Sequence, residues 1–195
     1  MAKFDHFDFI SPLYDFVFGR RTHHEIVDFA DVSEDQTLLD LGGGTGRVSV
    51  LFKMKVKNLF VADSSANMLK EAKDKGLITL NSNSERLPFR DDSIQRIIMV
   101  DAFHHVRNQQ ETLQEMWRVL EQDGLIIIEE PDINYFYVKL IALGEKILMM
   151  RSHFVSPSRI AELGYFDGHA SVDIKRRKGN AWITIKKIKG EIING

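Results

Sequence analysis

The segment Leu38-Leu39-Asp40-Leu41-Gly42-Gly43-Gly44-Thr45-Gly46-Arg47 has the clearest chemical meaning in this chain. An apolar run that breaks into glycines lets backbone N–H groups approach a ligand closely where a strand gives way to a helix. A phosphate-cradling P-loop needs Gly, four residues, then Gly-Lys-Ser/Thr, and no lysine follows a glycine here, which excludes nucleoside triphosphate hydrolysis. A dinucleotide fingerprint wants G-x-G-x-x-G or -A. Counted from Gly42 its last position is Arg47, counted from Gly44 it is Ser49, and both fail. Asp40, beside the loop, would also repel a pyrophosphate in a partly desolvated site. A carboxylate in that place calls for a ligand that brings its own cations.

Asp63 is the second chemical residue. It follows Gly42 by 21 positions at the end of the next apolar run, where an acid can accept hydrogen bonds from both ribose hydroxyls. S-adenosylmethionine meets both demands, with an ammonium, a sulfonium, a ribose and no phosphate. His104 and His105 are candidates for acid–base work or for hydrogen-bonding that fixes their loop, with His105 the better candidate for chemistry. His23-His24, His153 and His169 lack the H-E-x-x-H spacing of a zinc site, so no metal site is expected.

Stepping outward, short apolar runs alternate with helical patterns, as in a parallel α/β sheet. Strands are predicted at Thr37–Leu41, Asn58–Val61, Leu77–Leu80, Ile94–Val100 and Leu125–Ile128. Helices are predicted at Arg21–Ala30, Arg47–Met54, Ala66–Lys75 and Asn108–Leu120. Ser11-Pro12 and Ser156-Pro157 each read as a cap followed by proline in the first turn. Ala170–Lys175 and Ala181–Lys187 alternate across Lys178-Gly179-Asn180, a hairpin signal. Residues 131–155 read as a helical insertion rich in aromatics and methionine, and Lys175–Lys178 as a solvated hairpin tip.

Taken together, the pieces resemble the class I S-adenosylmethionine-dependent methyltransferases, especially the ubiquinone/menaquinone C-methyltransferase branch. They are Asp40-x-Gly42-x-Gly44-x-Gly46, Asp63-x-Ser65 with Met68-Leu69, and Glu85-x-Leu87-Pro88-Phe89. Ala102-Phe103-His104-His105-Val106 and Arg118-Val119-Leu120 with Asp123-Gly124 follow in order, and Ile10-x-Pro12-x-Tyr14-Asp15 precedes them. The resemblance implies a Rossmann-like α/β fold: a seven-stranded, mostly parallel sheet with a terminal antiparallel hairpin and helices on both faces. It further implies that Asp40 with Gly42, Gly43 and Gly44 hold the methionine end of the cofactor, and Asp63 with Ser64 the ribose. Met68 would pack near the adenosine, Asn83 and Ser84 would meet the adenine edge, and Asp101 with Ala102 would face the methyl group. Tyr14 would close over the cofactor. Asp101 and His105 stand as the candidate catalytic residues. Asn83 departs from the aspartate usual in the family, and its carbonyl can still accept from the adenine amine.

One domain is expected over residues 1–195: an N-terminal helical lid (1–30), a cofactor-binding core (37–130), the insertion (131–155), then the last helix and hairpin (156–195). Five of the 13 phenylalanines (Phe4, Phe7, Phe9, Phe16, Phe18) fall in the lid. They either fill core or wall a pocket for an apolar, aromatic acceptor. Residues 1–174 hold 19 basic and 27 acidic side chains, and 175–195 hold seven and one. A nucleic-acid acceptor fits poorly with so acidic a body. The absence of cysteine excludes thiol chemistry and suits a cytoplasmic location. No membrane span and no signal peptide are expected. The expected function is methylation of a small molecule, by a monomer or homodimer. The alternatives are a regulatory S-adenosylmethionine-binding protein and an enzyme transferring another group from the sulfonium.

Overall fold

Leu38 and Leu39 are neighbours on one strand, point to opposite faces and are both fully buried. So are Ile126, Ile127 and Ile128. Such runs force a sheet that is covered on both sides. The computed structural model describes residues 24–135, 138–139, 153–164, 166 and 168–189. In chain order these form α1 (His24–Ala30), β1 (Thr37–Leu41), a 3₁₀ turn (Ser49–Phe52), β2 (Asn58–Asp63), α2 (Ala66–Asp74), β3 (Ile78–Asn81) and β4 (Ile94–Val100). A second 3₁₀ turn (Phe103–His105), α3 (Gln109–Val119), β5 (Leu120–Pro131), α4 (Pro157–Leu163), β6 (Ala170–Arg177) and β7 (Asn180–Lys187) follow.

The strands make one seven-stranded sheet in the order β3-β2-β1-β4-β5-β7-β6. Pairing is parallel from β3 through β5 and antiparallel for β5–β7 and β7–β6. On one face Leu39, Ile97, Ile126 and Ile128 pack under Leu113, Met116 and Val119 of α3 and Ile160 of α4. On the other, Leu38, Ile98, Ile127 and Trp182 meet Ile26 and Ala30 of α1, Phe52, and Leu69 and Ala72 of α2. The chain therefore has the Rossmann-like class I arrangement. Strand order reverses between β1 and β4, and such a reversal opens a crevice beyond the carboxyl ends of the strands.

Side-chain caps fix the helix starts. Ser65 Oγ accepts the Met68 N–H at 3.3 Å, Asn108 Oδ1 the Glu111 N–H at 3.2 Å, and Ser156 Oγ the Arg159 N–H at 3.2 Å. The structure departs from the sequence reading in two places. The helix expected at Arg47–Met54 is a series of turns ending in the 3₁₀ segment, where Leu51 N–H bonds to Val48 O and Lys53 N–H to Val50 O. The β-branched Val48 and Val50 disfavour a full helix there. β5 is longer than its aliphatic run, and its last residues, Glu129 to Pro131, carry polar groups toward the crevice end. The basic hairpin tip is solvent-exposed, as expected, while Arg177 pairs with Glu25 at 2.5 Å and Arg176 with the buried Asp132 at 3.3 Å.

The lid's phenylalanines, Tyr14 and most of the 131–155 insertion lie outside the described residues. No helix among the described residues is long and apolar enough to cross a membrane.

Candidate functional site

A cavity of about 340 Å³ lies at the carboxyl ends of β1, β2, β3 and β4. The glycine loop forms its floor. Gly42 and Gly43 N–H both donate to Ala62 O, at 2.7 and 3.3 Å, strapping the loop to β2. A Cβ on Gly43 would lie 2.7 Å from Asp40 Cγ and 2.8 Å from Val61 Cγ1, so only glycine lets the loop fold down onto that carboxylate. A Cβ on Gly42 would lie 2.6 Å from the Cβ of Ala102, so β4's end closes in from the other side. Asp40 itself is 1% exposed, and its Oδ2 accepts from Ser49 Oγ.

Asp63 is fixed from both sides. Its Oδ2 accepts the Gly44 N–H at 2.9 Å and its Oδ1 the Ser65 N–H at 2.7 Å. Each carboxylate oxygen can accept more than one bond, so the group can hold its own loop and still accept from a ligand. Ser64 lines the wall beside it. The Met68 sulfur would sit 3.1 Å from a Cβ at Gly44, which brings the thioether against the loop. Asn83 and Ser84 line the same cavity after β3; Ser84 Oγ lies 3.0 Å from Thr112 Oγ1, which leaves Asn83 the more open of the two.

Asp101 and Ala102 close the cavity at β4. Asp101 has φ 51°, a left-handed backbone that aspartate tolerates better than most residues, and its side chain is 6% exposed. Backbone of this kind clusters at functional sites. Arg47 Nη2 lies 3.8 Å from Asp101 Oδ2.

The two histidines separate. His104 is buried, its Nδ1 lies 2.5 Å from Glu130 Oε2, and its ring stacks on Phe154 at 4.2 Å. Glu130 Oε1 also accepts the Phe103 N–H at 2.8 Å, and His104 O accepts from His153 N–H at 2.7 Å. His104 thus braces the loop. His105 lines the cavity instead. Burial, then the neighbouring His104, pulls its pKa from 6.5 down to about 2, so its imidazole is neutral and a weak base near pH 7.

Two of the sequence motifs act as struts. Arg118 donates to Phe89 O at 3.1 Å and Leu87 O at 3.3 Å while pairing with Glu115 and Asp91. Glu85 Oε1 accepts the Asn108 N–H at 3.0 Å. Together they hold the segment after β3 against α3.

Ser82, Thr45, Arg47 and Arg107 also line the cavity and were absent from the sequence-derived set. Ser82 Oγ is buried without a hydrogen-bond partner, while its N–H donates to Asp63 O at 3.1 Å. Its place just past β3, level with the end of β2, was the available signal. A glycine floor that any Cβ would fill, a carboxylate fixed for hydroxyls and an unsatisfied hydroxyl beside it together suit an adenosyl ligand. Among the described residues no group of three His, Asp or Glu could hold a metal ion.

Residues 39–128 match the family model of a methyltransferase domain. The chain is 30% identical over 135 residues to the ubiquinone/menaquinone biosynthesis C-methyltransferase UbiE of Citrobacter koseri, covering 64% of this chain and 54% of that protein. It therefore spans about half the length of that curated relative. Among solved structures, a Thermotoga maritima S-adenosylmethionine-dependent methyltransferase, a possible histamine N-methyltransferase, superposes with TM-score 0.76 at 20% identity, over 93% of this chain and 96% of that one. An S-adenosylmethionine-dependent methyltransferase from Aquifex aeolicus gives 0.69 at 19% identity, over 96% and 100%.

Proposed function

Because this chain has the class I S-adenosylmethionine-dependent methyltransferase fold and resembles its ubiquinone/menaquinone C-methyltransferase branch, we propose that it methylates a small, apolar or aromatic molecule by in-line displacement. S-adenosylmethionine is the cofactor of this fold and of the matched domain. When bound, it supplies a methyl group on a positively charged sulfur that leaves readily.

The chain's own residues have a positioning task, and alignment of reacting groups is worth roughly 7–11 kcal/mol in favourable cases. Asp63 accepts from the ribose hydroxyls, Ser64 and Met68 flank the adenosine, and Asn83 and Ser84 border the adenine edge. Asp40, buried under Gly43, places negative potential beneath the methionine end without leaving its bond to Ser49. Asp101 and Ala102 stand at the methyl end. His105, held neutral, orients an acceptor by hydrogen bonding and does not serve as a strong base. Tyr14 and the N-terminal phenylalanines belong to the proposal as lid and acceptor wall.

The observation that carries this reading is Asp63, locked by the Gly44 and Ser65 N–H groups at the edge of a cavity that both sequence motifs reach. Incubation with methyl-labelled S-adenosylmethionine and a metabolite extract tests it. Label entering a small apolar or phenolic product supports the reading. Cofactor binding with no transfer to quinone, phenol or amine pools would contradict it and favour a regulatory binding protein.

A further inference from the structure

Among the described residues β6 is the outer strand of the sheet, far from the cavity. It runs for eight residues, Ala170–Arg177, in unbroken register with β7. Proline, a bulge or shortness commonly blunts a sheet edge, and β6 has none of the three. The opposite edge, β3, is four residues long. Most of β6 faces solvent: Val172 is 39% exposed, and the side chains of Asp173 and Lys175 are 66% and 63% exposed.

The hairpin turn decides which main-chain groups point outward. Lys178 and Gly179 have φ 49° and 83°, the two positive values of a type I′ turn, and Arg177 lies opposite Asn180. Such a two-residue turn closes on a hydrogen-bonded pair, so Arg177, Lys175, Asp173 and Ser171 turn their main-chain groups to β7. The bond from Ile188 N–H to His169 O at 2.8 Å continues that alternation. Val172, Ile174 and Arg176 therefore present N–H and C=O groups to the open edge. A two-fold pairing of this edge with its own copy must place the axis at a residue, because side chains stay on their own faces. An axis at Asp173 or Lys175 sets that charge against itself, and an axis at Val172 or Arg176 pairs fewer residues. An axis at Ile174 sets Asp173 opposite the partner's Lys175, twice over. These are the non-hydrogen-bonded positions, where facing side chains come closest. In the single chain Lys175 Nζ stands 4.0 Å from Asp173 Oδ2.

We propose that β6 is a self-association edge: it pairs antiparallel with β6 of a second copy of this chain about a two-fold axis at Ile174, joining two seven-stranded sheets into one. Ile174 meets its own copy, and crossed Asp173–Lys175 pairs fix the register. Arg176 and Arg177 keep Asp132 and Glu25 as partners and fall opposite Val172 and Ser171, so no cation faces another. Charges that guard the edge against slipped or foreign strands thereby select this one pairing. The contact is isologous and small, as in a reversible dimer of micromolar affinity.

Analytical ultracentrifugation of the full chain over a concentration series tests the pairing. The wild-type chain is expected to pass from monomer to dimer. Asp173→Lys and Lys175→Asp each set like charges across the seam, and each should weaken self-association at least about tenfold. Both side chains are exposed, so the circular dichroism spectra should match that of the wild-type chain. Mixing the two variants restores opposite charges at both crossings, so a heterodimer should form with an affinity within about threefold of the wild-type value. That recovery is one a merely structural role for either residue would not give. A wild-type chain that stays monomeric up to about 1 mM would overturn the proposal. So would a dimer that persists undiminished in each variant alone, or variants that fail to associate with each other when mixed.

Discussion

The two walls of the cavity are built on different principles. On the β1–β2–β3 side the ligand-facing groups are backbone N–H groups, glycines and one carboxylate, Asp63, anchored by residues close to it in sequence or on the adjoining strand. On the β4–β5 side the frame is polar side chains buried against each other. Glu130 serves both the Phe103 N–H and His104, and Asp132 takes Arg176 and the Asn134 N–H. The first wall presents a general surface for a nucleoside; the second spends its polar groups on holding a loop in place. A cofactor shared by many enzymes suits the first. A loop whose orientation must be set for one acceptor suits the second.

Breaking the second wall should cost stability more than cofactor affinity. Glu130→Ala strands the Phe103 N–H and the His104 ring, and urea unfolding should show a loss of about 3 kcal/mol. Affinity of the folded fraction for S-adenosylhomocysteine should stay within about threefold. The reverse is expected on the first wall. Gly43→Ala pushes a methyl group into Asp40 and Val61; overpacking of this kind costs roughly 1–3 kcal/mol, and calorimetry should show binding weakened at least about tenfold.

A third test uses pH. Folding holds His105 neutral down to a pKa of about 2, against 6.5 in its ordinary state. Between those values the unfolded chain binds the extra proton, so this residue makes stability fall as pH drops below 6.5, by at most about 1.4 kcal/mol per pH unit. Denaturant unfolding at pH 7, 6 and 5 should show a shallower decline in His105→Asn than in the wild-type chain. The smallest effect is expected at Asn83. Asn83→Asp should tighten S-adenosylhomocysteine by about two- to threefold, because a charged acceptor strengthens a hydrogen bond from the adenine amine.

The contrast between the walls also explains what could be read from sequence. The glycine loop and Asp63 each sit at the carboxyl end of a parallel strand, so strand position and residue type sufficed to find them, whereas Asn83 entered only through the family resemblance. The parallel order and the terminal hairpin followed from apolar runs and turn residues. The Arg47–Met54 helix was misread because its apolar spacing is helical while Val48 and Val50 resist a full helix. The second wall was hidden because its pairs join residues far apart: His104 and Glu130 lie 26 positions from each other, and nothing local distinguishes His104 from His105. Arg47 looked like an ordinary charge after a loop until β4 brought Asp101 alongside it. Ser82 was missed because the resemblance placed the adenine contact on its neighbours Asn83 and Ser84. Tyr14 and the N-terminal phenylalanines lie beyond the described residues, so acceptor choice rests on composition there.

The central claim is that the cavity between the glycine loop and Asp63 holds S-adenosylmethionine. Isothermal calorimetry of the wild-type chain beside Asp63→Ala tests it most directly. Saturable one-to-one binding of S-adenosylmethionine by the wild-type chain, weakened about 100-fold or more in Asp63→Ala, is the result this account predicts. Equal affinity in the two proteins, or no binding to the wild-type chain, would contradict it.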